Sequence, residues 1–191
     1  MHRTDNLAFL ESDVVAAARQ LLGCTIIRTI NGRTLKGRIV ETEAYHQSDA
    51  ASHSYKGRTA RTAVMFGPPG FLYVYFTYGM HYCMNVVTGP EGEGSAVLIR
   101  ALEPMAGMDE MRSNRGVVTD LQLTNGPAKL CQALQVNALL NGHDLRRPPI
   151  RLEAGLRADY AIIQTTRIGI SQAKEQPWRF YIADNPYVSR K

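Results

Sequence analysis

The sequence predicts an α+β fold, in which a single compact domain (1–191) surrounds a curved, mainly antiparallel β-sheet with flanking helices and a protruding β-hairpin. Segments with strand character follow one another through short turns, as antiparallel neighbours do. Strands and helices do not alternate in the βαβ order that is typical of a parallel sheet. The chain has 191 residues, 45% of them hydrophobic, without internal repeats or linkers. This length suffices for one domain with its own core.

The N-terminal segments predict one helix followed by a hairpin. Ser12 is placed to cap a helix that runs through Leu22, and Gly23 is placed to end it. The segments CTIIRTI and RTLKGRIVETEAY flank the pair Asn31-Gly32. Because Asn and Gly tolerate positive φ angles, this pair predicts a type I′ turn between two strands.

A second hairpin is predicted after a polar loop, 46–64, that has room for a short helix. The rigid turn GPPG, 67–70, leads into the aromatic segment FLYVYFTYGMHYCMN, 71–85, with Tyr78-Gly79 at the turn between two strands. The remaining elements are expected to be a strand at Ser95–Glu103, helices at Met105–Arg115 and Pro127–Val136 with Asn125 capping the second, and strands at Ile150–Glu153, Ala161–Thr166 and Arg179–Ile182.

Composition narrows the classes of function. The formal net charge of +5 is compatible with a polyanionic partner, although so small an excess carries little weight alone. The three cysteines are widely spaced without a CxxC pair, which argues against a disulfide framework and fits a reducing compartment. The histidines lack metal-ligand spacing, so neither a metal nor another cofactor is expected. No apolar run suits a signal peptide or a membrane span, so we expect a cytoplasmic, nucleoid-associated monomer without a membrane partner.

The aromatic hairpin is the first candidate for function. Its tyrosines carry more phenol oxygens than a core needs, because each buried hydroxyl requires a hydrogen-bond partner. Tyrosines at and beneath a hairpin tip suit contact with flat rings that have polar edges. In a basic protein, nucleobases are the ligands that this pattern favours.

Two glutamates are the second candidate. The two-residue period of the strand 37–45 places Ile39, Glu41, Glu43 and Tyr45 on one face. A solvated sheet face is the alternative explanation. Arg100 lies in the apolar strand SAVLIRALEP, where a buried arginine needs an anionic partner. A carboxylate held by a guanidinium could orient a water molecule.

The loop SHSYKGRTART is the third candidate. Lys56, Arg58 and Arg61 stand there among hydroxyls and glycine, which suits either phosphate binding or a plain solvated basic loop. His53 carries no functional signal by itself. Asn85, at the end of the aromatic hairpin, could read a base edge or could only complete a strand.

Four long blocks resemble the alkyladenine (3-methyladenine) DNA glycosylase family: GRIVETEAY, MFGPPGFLYVYFTYGMHYCMN, VLIRALEP and NGPAKLCQAL. They occur in the same order and span nearly the whole chain. The resemblance implies a base-excision-repair enzyme that flips a damaged purine out of double-stranded DNA and hydrolyses its N-glycosidic bond. It also implies a monofunctional enzyme that leaves an intact abasic site, because nothing resembles the activated lysine of a lyase.

The resemblance also implies roles for individual residues. Glu43 matches the catalytic carboxylate that activates water, Arg100 the arginine that helps hold that water, and His53 the histidine that faces the flipped base. Tyr78 matches the wedge that intercalates into DNA and fills the gap left by the extruded nucleotide.

Substrate selection is assigned in the same way. Tyr45 and Tyr75 match the rings that sandwich the base, and Asn85 matches the residue that opposes a purine 2-amino group. Cationic lesions such as 3-methyladenine and 7-methylguanine leave readily and attract aromatic faces. Hypoxanthine and ethenoadenine need protonation, so we expect slower release of these bases.

Two other classes of function are compatible with parts of the pattern. A non-catalytic nucleic-acid-binding module of related fold would use the stacking surface alone, but would gain nothing from an ionised Glu43 facing phosphates. A sugar hydrolase would use Glu41 and Glu43, about 7 Å apart on one strand face, as an acid/base pair. In that enzyme the basic aromatic hairpin would have no role.

Overall fold

A computed structural model describes residues 7–116, 119–155 and 159–190. Its strands are all antiparallel and form one sheet of eight in the order β3-β4-β5-β2-β1-β6, with β8 paired to β2 and β7 to β8. The α+β prediction is therefore confirmed. The strands are β1 Thr25–Ile30, β2 Arg33–His46, β3 Leu72–Thr77, β4 His81–Val87, β5 Ser95–Ala106, β6 Ile150–Glu153, β7 Ile162–Thr165 and β8 Arg179–Ile182; the helices are α1 Val14–Leu21, α2 Met108–Arg115 and α3 Pro127–Ala133.

Strand β2 is the central element of the sheet. Its first half pairs with β1, and its second half pairs with β8 through residues 41–43, while β5 follows its other edge. The pairing with β5 shifts register on either side of Glu41, and such bulges bend a strand and increase its twist. The two glutamates of β2 therefore lie where the sheet curls and changes partner.

Both predicted turns are confirmed. Asn31 and Gly32 have φ angles of 48° and 76°, as a type I′ turn requires. Tyr78 and Gly79, with φ angles of 52° and 67°, connect β3 to β4. A tyrosine in the left-handed region is uncommon. The turn places Tyr78 at the exposed tip of the hairpin, between β3 and β4.

The predicted helix caps were wrong. Asp13 caps α1, because its carboxylate accepts hydrogen bonds from the N–H groups of Val15 and Ala16, whereas the Ser12 hydroxyl donates to the carbonyl of Phe9. Helix α3 follows Gly126 without a side-chain cap, and Asn125 instead accepts a hydrogen bond from Lys129. The local pattern indicated both helices, but the N-cap residues are Asp13 and Gly126, each one position after the residue that was predicted.

The long loop between β2 and β3 contains two short 3₁₀ helices, His53–Lys56 and Ala63–Phe66. The second contributes to a small apolar cluster, separate from the main core, that comprises Met65, Phe66, Tyr73, Val87 and Ala96. This cluster fixes the loop against β3, β4 and β5. No helix in the described ranges is long and apolar enough to span a membrane.

Candidate active site

A cavity of about 470 Å³ lies between the aromatic hairpin, the central strands and a C-terminal loop. Its size falls within the range of roughly 300–1,000 Å³ typical of small-molecule sites. Most of the sequence-predicted site residues line it, namely Tyr45, His53, Tyr75, Tyr78, Asn85 and Arg100. The structure thus brings together residues from β2, β3, β4, β5 and the loop after β2.

Glu43 lies directly behind the cavity wall and is fully buried. The Tyr45 hydroxyl donates to its Oε2 at 2.8 Å, and the backbone N–H of Ile168 donates to its Oε1 at 2.7 Å. Arg100 Nη1 lies 3.3 Å from the same Oε1. Each of these three partners lines the cavity. Glu43 is therefore held in place by three donors that themselves line the cavity.

The protonation states of Tyr45 and Arg100 allow both side chains to donate to Glu43. Burial raises the pKa of Tyr45 far above its usual range, and the charge of Glu43 raises it further, so the phenol remains a donor. Burial lowers the pKa of Arg100, but the charges of Glu43 and Glu41 outweigh burial and raise the pKa above its usual value. Arg100 is thus a permanent cation beside two carboxylates.

Glu41 has a different environment from Glu43. It is also fully buried, but it does not line the cavity and is bound by Arg100, Arg179 and Ser189. A solvated strand face is therefore excluded for both glutamates. An acid/base pair is also disfavoured, because the cationic partners of Glu41 hold it away from the cavity.

Aromatic rings form one side of the cavity. The His53 ring meets Tyr75 edge-on with a centroid separation of 4.6 Å, and its Nδ1 lies 3.0 Å from the Tyr73 hydroxyl. Partial burial and, secondarily, the charge of Arg61 lower the pKa of His53, which favours a neutral ring. His46 does not line the cavity; its Nδ1 lies 2.8 Å from Ser48 Oγ.

Asn85 is buried at the base of this wall, where its amide nitrogen donates to the carbonyl of Tyr73 at 3.0 Å. At the mouth of the cavity, Tyr78 is 82% exposed, and Phe76 and Met80 beside it are also exposed. The hairpin therefore presents an apolar, aromatic tip to solvent next to a polar pocket.

The three basic residues of the loop after β2 separate into two groups. The guanidinium of Arg61 lies 5.7 Å from the centre of the Tyr75 ring, which lines the cavity. All three residues are exposed. Arg61 thus contacts an aromatic wall of the cavity, whereas Lys56 and Arg58 are placed to face a larger polyanion.

The C-terminal wall of the cavity consists of residues 168–172, none of which was predicted from the sequence. Arg167, immediately before it, forms a buried ion pair with Asp49 and donates to the carbonyl of Ala44 at 2.9 Å. Its guanidinium also lies 4.7 Å from the ring centre of Tyr45. This anchor sets the position of the Ile168 N–H that binds Glu43. The local sequence around Arg167, TTRIG, lacks the apolar flanks that singled out Arg100 and gave no comparable signal.

The sequence profile of a family described as methylpurine-DNA glycosylase (MPG) matches residues 8–186. The chain belongs to the methylpurine-DNA glycosylase family. Its relatives include a protein of Carboxydothermus hydrogenoformans that is 53% identical over 185 residues, which cover 96% of this chain and 97% of the relative. Proteins of Methanoculleus marisnigri and Francisella tularensis are each 49% identical over 188 residues, with the same coverage. All three bear the name "Putative 3-methyladenine DNA glycosylase".

Membership of the methylpurine-DNA glycosylase family agrees with the resemblance found in the sequence blocks. The matched range contains every residue that lines the cavity, as well as Glu43 behind it. The cavity therefore lies within the part of the chain that the family profile covers.

Proposed function

We propose that this protein is a monofunctional DNA glycosylase that flips alkylated purines, above all 3-methyladenine and 7-methylguanine, out of duplex DNA and hydrolyses their N-glycosidic bonds. The observation that supports this most directly is a buried carboxylate, Glu43, fixed by three donors behind an aromatic pocket, with an exposed tyrosine at the pocket mouth. A carboxylate so arranged suits activation of water at the sugar of a base held in the pocket.

The geometry of Glu43 leaves capacity for a water molecule. A carboxylate offers about four acceptor positions. Ile168 and Arg100 approach Oε1, and Tyr45 donates to Oε2. A water molecule that donates to the second position of Oε2 would be oriented by a rigid acceptor. The negative charge also stabilises the positive charge that develops on the sugar in an oxocarbenium-like transition state.

Base selection would rest on the rings of Tyr45 and Tyr75. Aromatic faces attract cations, so a purine made cationic by alkylation binds more favourably than its neutral parent. Asn85 is held by the Tyr73 carbonyl, and its rigid carboxamide would clash with the 2-amino group of a normal guanine. Hypoxanthine and ethenoadenine are neutral, so they would not gain cation–π attraction to these rings and would react more slowly.

Access to the base would depend on Tyr78. Flipping a nucleotide costs a few kcal/mol in lost stacking and pairing. An exposed aromatic side chain on a stiff turn can replace that stacking and prevent the base from returning. Lys56 and Arg58 on the adjacent loop would contact phosphates, since both are exposed on a chain with a net charge of +5.

Strand cleavage is not expected, because the proposed nucleophile is water and not an amine of the protein. A lyase requires an amine that attacks the sugar, and none of the described residues that line the cavity is a lysine. With water activated by Glu43, the product is an abasic site in an intact strand.

The test is incubation of the purified protein with duplex DNA containing 7-methylguanine or 3-methyladenine in EDTA. Released bases are identified by chromatography, and the strand is examined for breaks before and after treatment with alkali. We expect free methylated purine and breaks only after alkali. Binding without base release would indicate a nucleic-acid-binding module, and breaks without alkali would contradict the monofunctional mechanism.

A further inference from the structure

Four buried charges form a continuous chain behind the cavity. Arg100 Nη1 lies 3.3 Å from Glu43 Oε1, and Arg100 Nε lies 3.3 Å from Glu41 Oε1. Arg179 Nε on β8 lies 2.7 Å from the same Glu41 oxygen. The signs alternate and sum to zero. Each interior charge therefore has an opposite neighbour, as burial of charge demands.

The far end of this chain is fastened to the C-terminal segment. Glu41 accepts hydrogen bonds from the Ser189 N–H at 2.7 Å and the Ser189 hydroxyl at 2.9 Å, and Arg179 donates to the carbonyl of Arg190. Neither Glu41 nor Arg179 nor Ser189 lines the cavity. Glu41 therefore reaches the cavity through Arg100, whereas Arg179 is also the cross-strand neighbour of Glu43 in the pairing of β8 with β2.

Arg100 is shared between the two carboxylates, and Arg179 determines how it is shared. Glu41 is closer to Arg179 than to Arg100. If Arg179 lost its charge, Glu41 would depend on Arg100 alone, and two buried carboxylates would share one cation. Like charges about 7 Å apart on one strand repel appreciably in a protein interior. Protonation of Glu43 would become easier, and Arg100 would be drawn from it.

We propose that Arg179 is a positioning residue for base release, which keeps Glu41 neutralised so that Arg100 remains available to Glu43. This inference rests on the proposed function, in which Glu43 must be ionised. It assigns no contact between Arg179 and DNA. Its consequence is a specific change in the pH dependence of the reaction, which a purely structural role would not produce.

Other groups around Glu43 do not titrate in the acidic range. Tyr45 on its own strand, Tyr75 on β3 and Cys83 on β4 face it. Burial raises the pKa of each of these side chains, so all three remain neutral below pH 7. Arg100 and the Ile168 amide do not titrate there. His53 lies elsewhere in the cavity, and its lowered pKa also contributes to the acidic side of the rate profile. Because His53 is unchanged in every variant, a difference in midpoint between variants reports on the charges around Glu43.

The experiment measures single-turnover release of 7-methylguanine from duplex DNA between pH 4.5 and 8. This lesion is cationic throughout the acidic range, so protonation of the base does not contribute there. For Arg179→Gln, we expect the acid-side midpoint to move up by about one pH unit. For Glu41→Gln, Arg100 serves Glu43 alone, and the midpoint should move down. The double variant should return towards the wild-type midpoint, because charge balance is restored.

Arg38→Gln is the matched control. Arg38 lies on β2, and its substitution likewise removes an ion pair, with Glu103, but outside the cavity. We expect its midpoint to equal that of the wild type. If Arg179→Gln does not fold, as judged by circular dichroism, Glu41→Gln decides the question by its downward shift.

Unchanged midpoints in folded variants of an active enzyme would overturn the positioning role. So would a double variant that is displaced further than Arg179→Gln. Lack of base release by the wild-type protein would instead refute the proposed function, so the two failures are distinguishable.

Discussion

Glu43→Gln separates chemistry from binding more sharply than any other single substitution. Glutamine preserves the shape of the side chain and removes its charge. Oε1 can still accept from the Ile168 N–H and from Arg100, while the new amide nitrogen faces the Tyr45 hydroxyl, which can rotate to accept. The geometry of the site is thus expected to survive.

The expected changes in stability, rate and DNA affinity of Glu43→Gln follow from these interactions. Loss of one charge-assisted hydrogen-bonding group should lower the free energy of unfolding by about 1–3 kcal/mol. Loss of a general base costs about 10²–10⁴-fold in rate, and loss of the charge that stabilises the sugar cation adds to this. We therefore expect base release to fall by at least about 10³-fold. Affinity for abasic DNA should stay within about threefold, because binding depends on the hairpin and the basic loop.

Single-turnover release of 7-methylguanine measures the rate, and fluorescence anisotropy with abasic duplex measures binding. Glu103→Gln on β5 is the matched control, since Glu103 accepts from Arg38 and Asn185 outside the cavity. It should lose less stability than Glu43→Gln, because its ion pair is partly exposed, and should keep its rate within about twofold. Retention of more than a tenth of the rate by Glu43→Gln would refute the assigned role. A parallel loss of rate and abasic binding would indicate that Glu43 is only structural.

Three further variants test the residues around the site. Tyr78→Ser should weaken binding to lesion duplex by about tenfold or more, since stacking on a base contributes about 1–3 kcal/mol. Release from an unpaired site should change far less, and equal losses would contradict a wedge. The double variant Lys56→Gln/Arg58→Gln should reduce the slope of log affinity against log salt by about one for each phosphate that these side chains neutralise, and an unchanged slope would exclude such a role. Arg167→Gln leaves Asp49 buried without its cation, so thermal denaturation should show a loss of about 3–5 kcal/mol, and a negligible change in Tm would contradict a stabilising role for this ion pair.

Local sequence patterns alone predicted several features of the fold and of the candidate site. Asn31-Gly32 required a particular turn because few residue pairs adopt two consecutive positive φ angles. The two-residue period of β2 placed Glu43 and Tyr45 on one strand face, and in the structure the two side chains are hydrogen-bonded. Arg100 was recognisable because a guanidinium in an apolar strand demands an anion, and the structure supplies Glu43 and Glu41. Such signals depend on neighbouring residues or on residue chemistry, so they are visible in the chain itself.

Tertiary structure alone decided how the carboxylate is held. Ile168 binds Glu43 across 125 residues of sequence, and Arg179 binds Glu41 across 138. Such pairings arise from the bulges that curl β2 and from its change of partner from β1 to β8. A backbone amide has no side-chain signature, and an arginine near the C-terminus does not indicate which buried acid it will meet. The sequence therefore determined which chemistry was available, and the packing of the curved sheet determined which of two neighbouring glutamates could perform it.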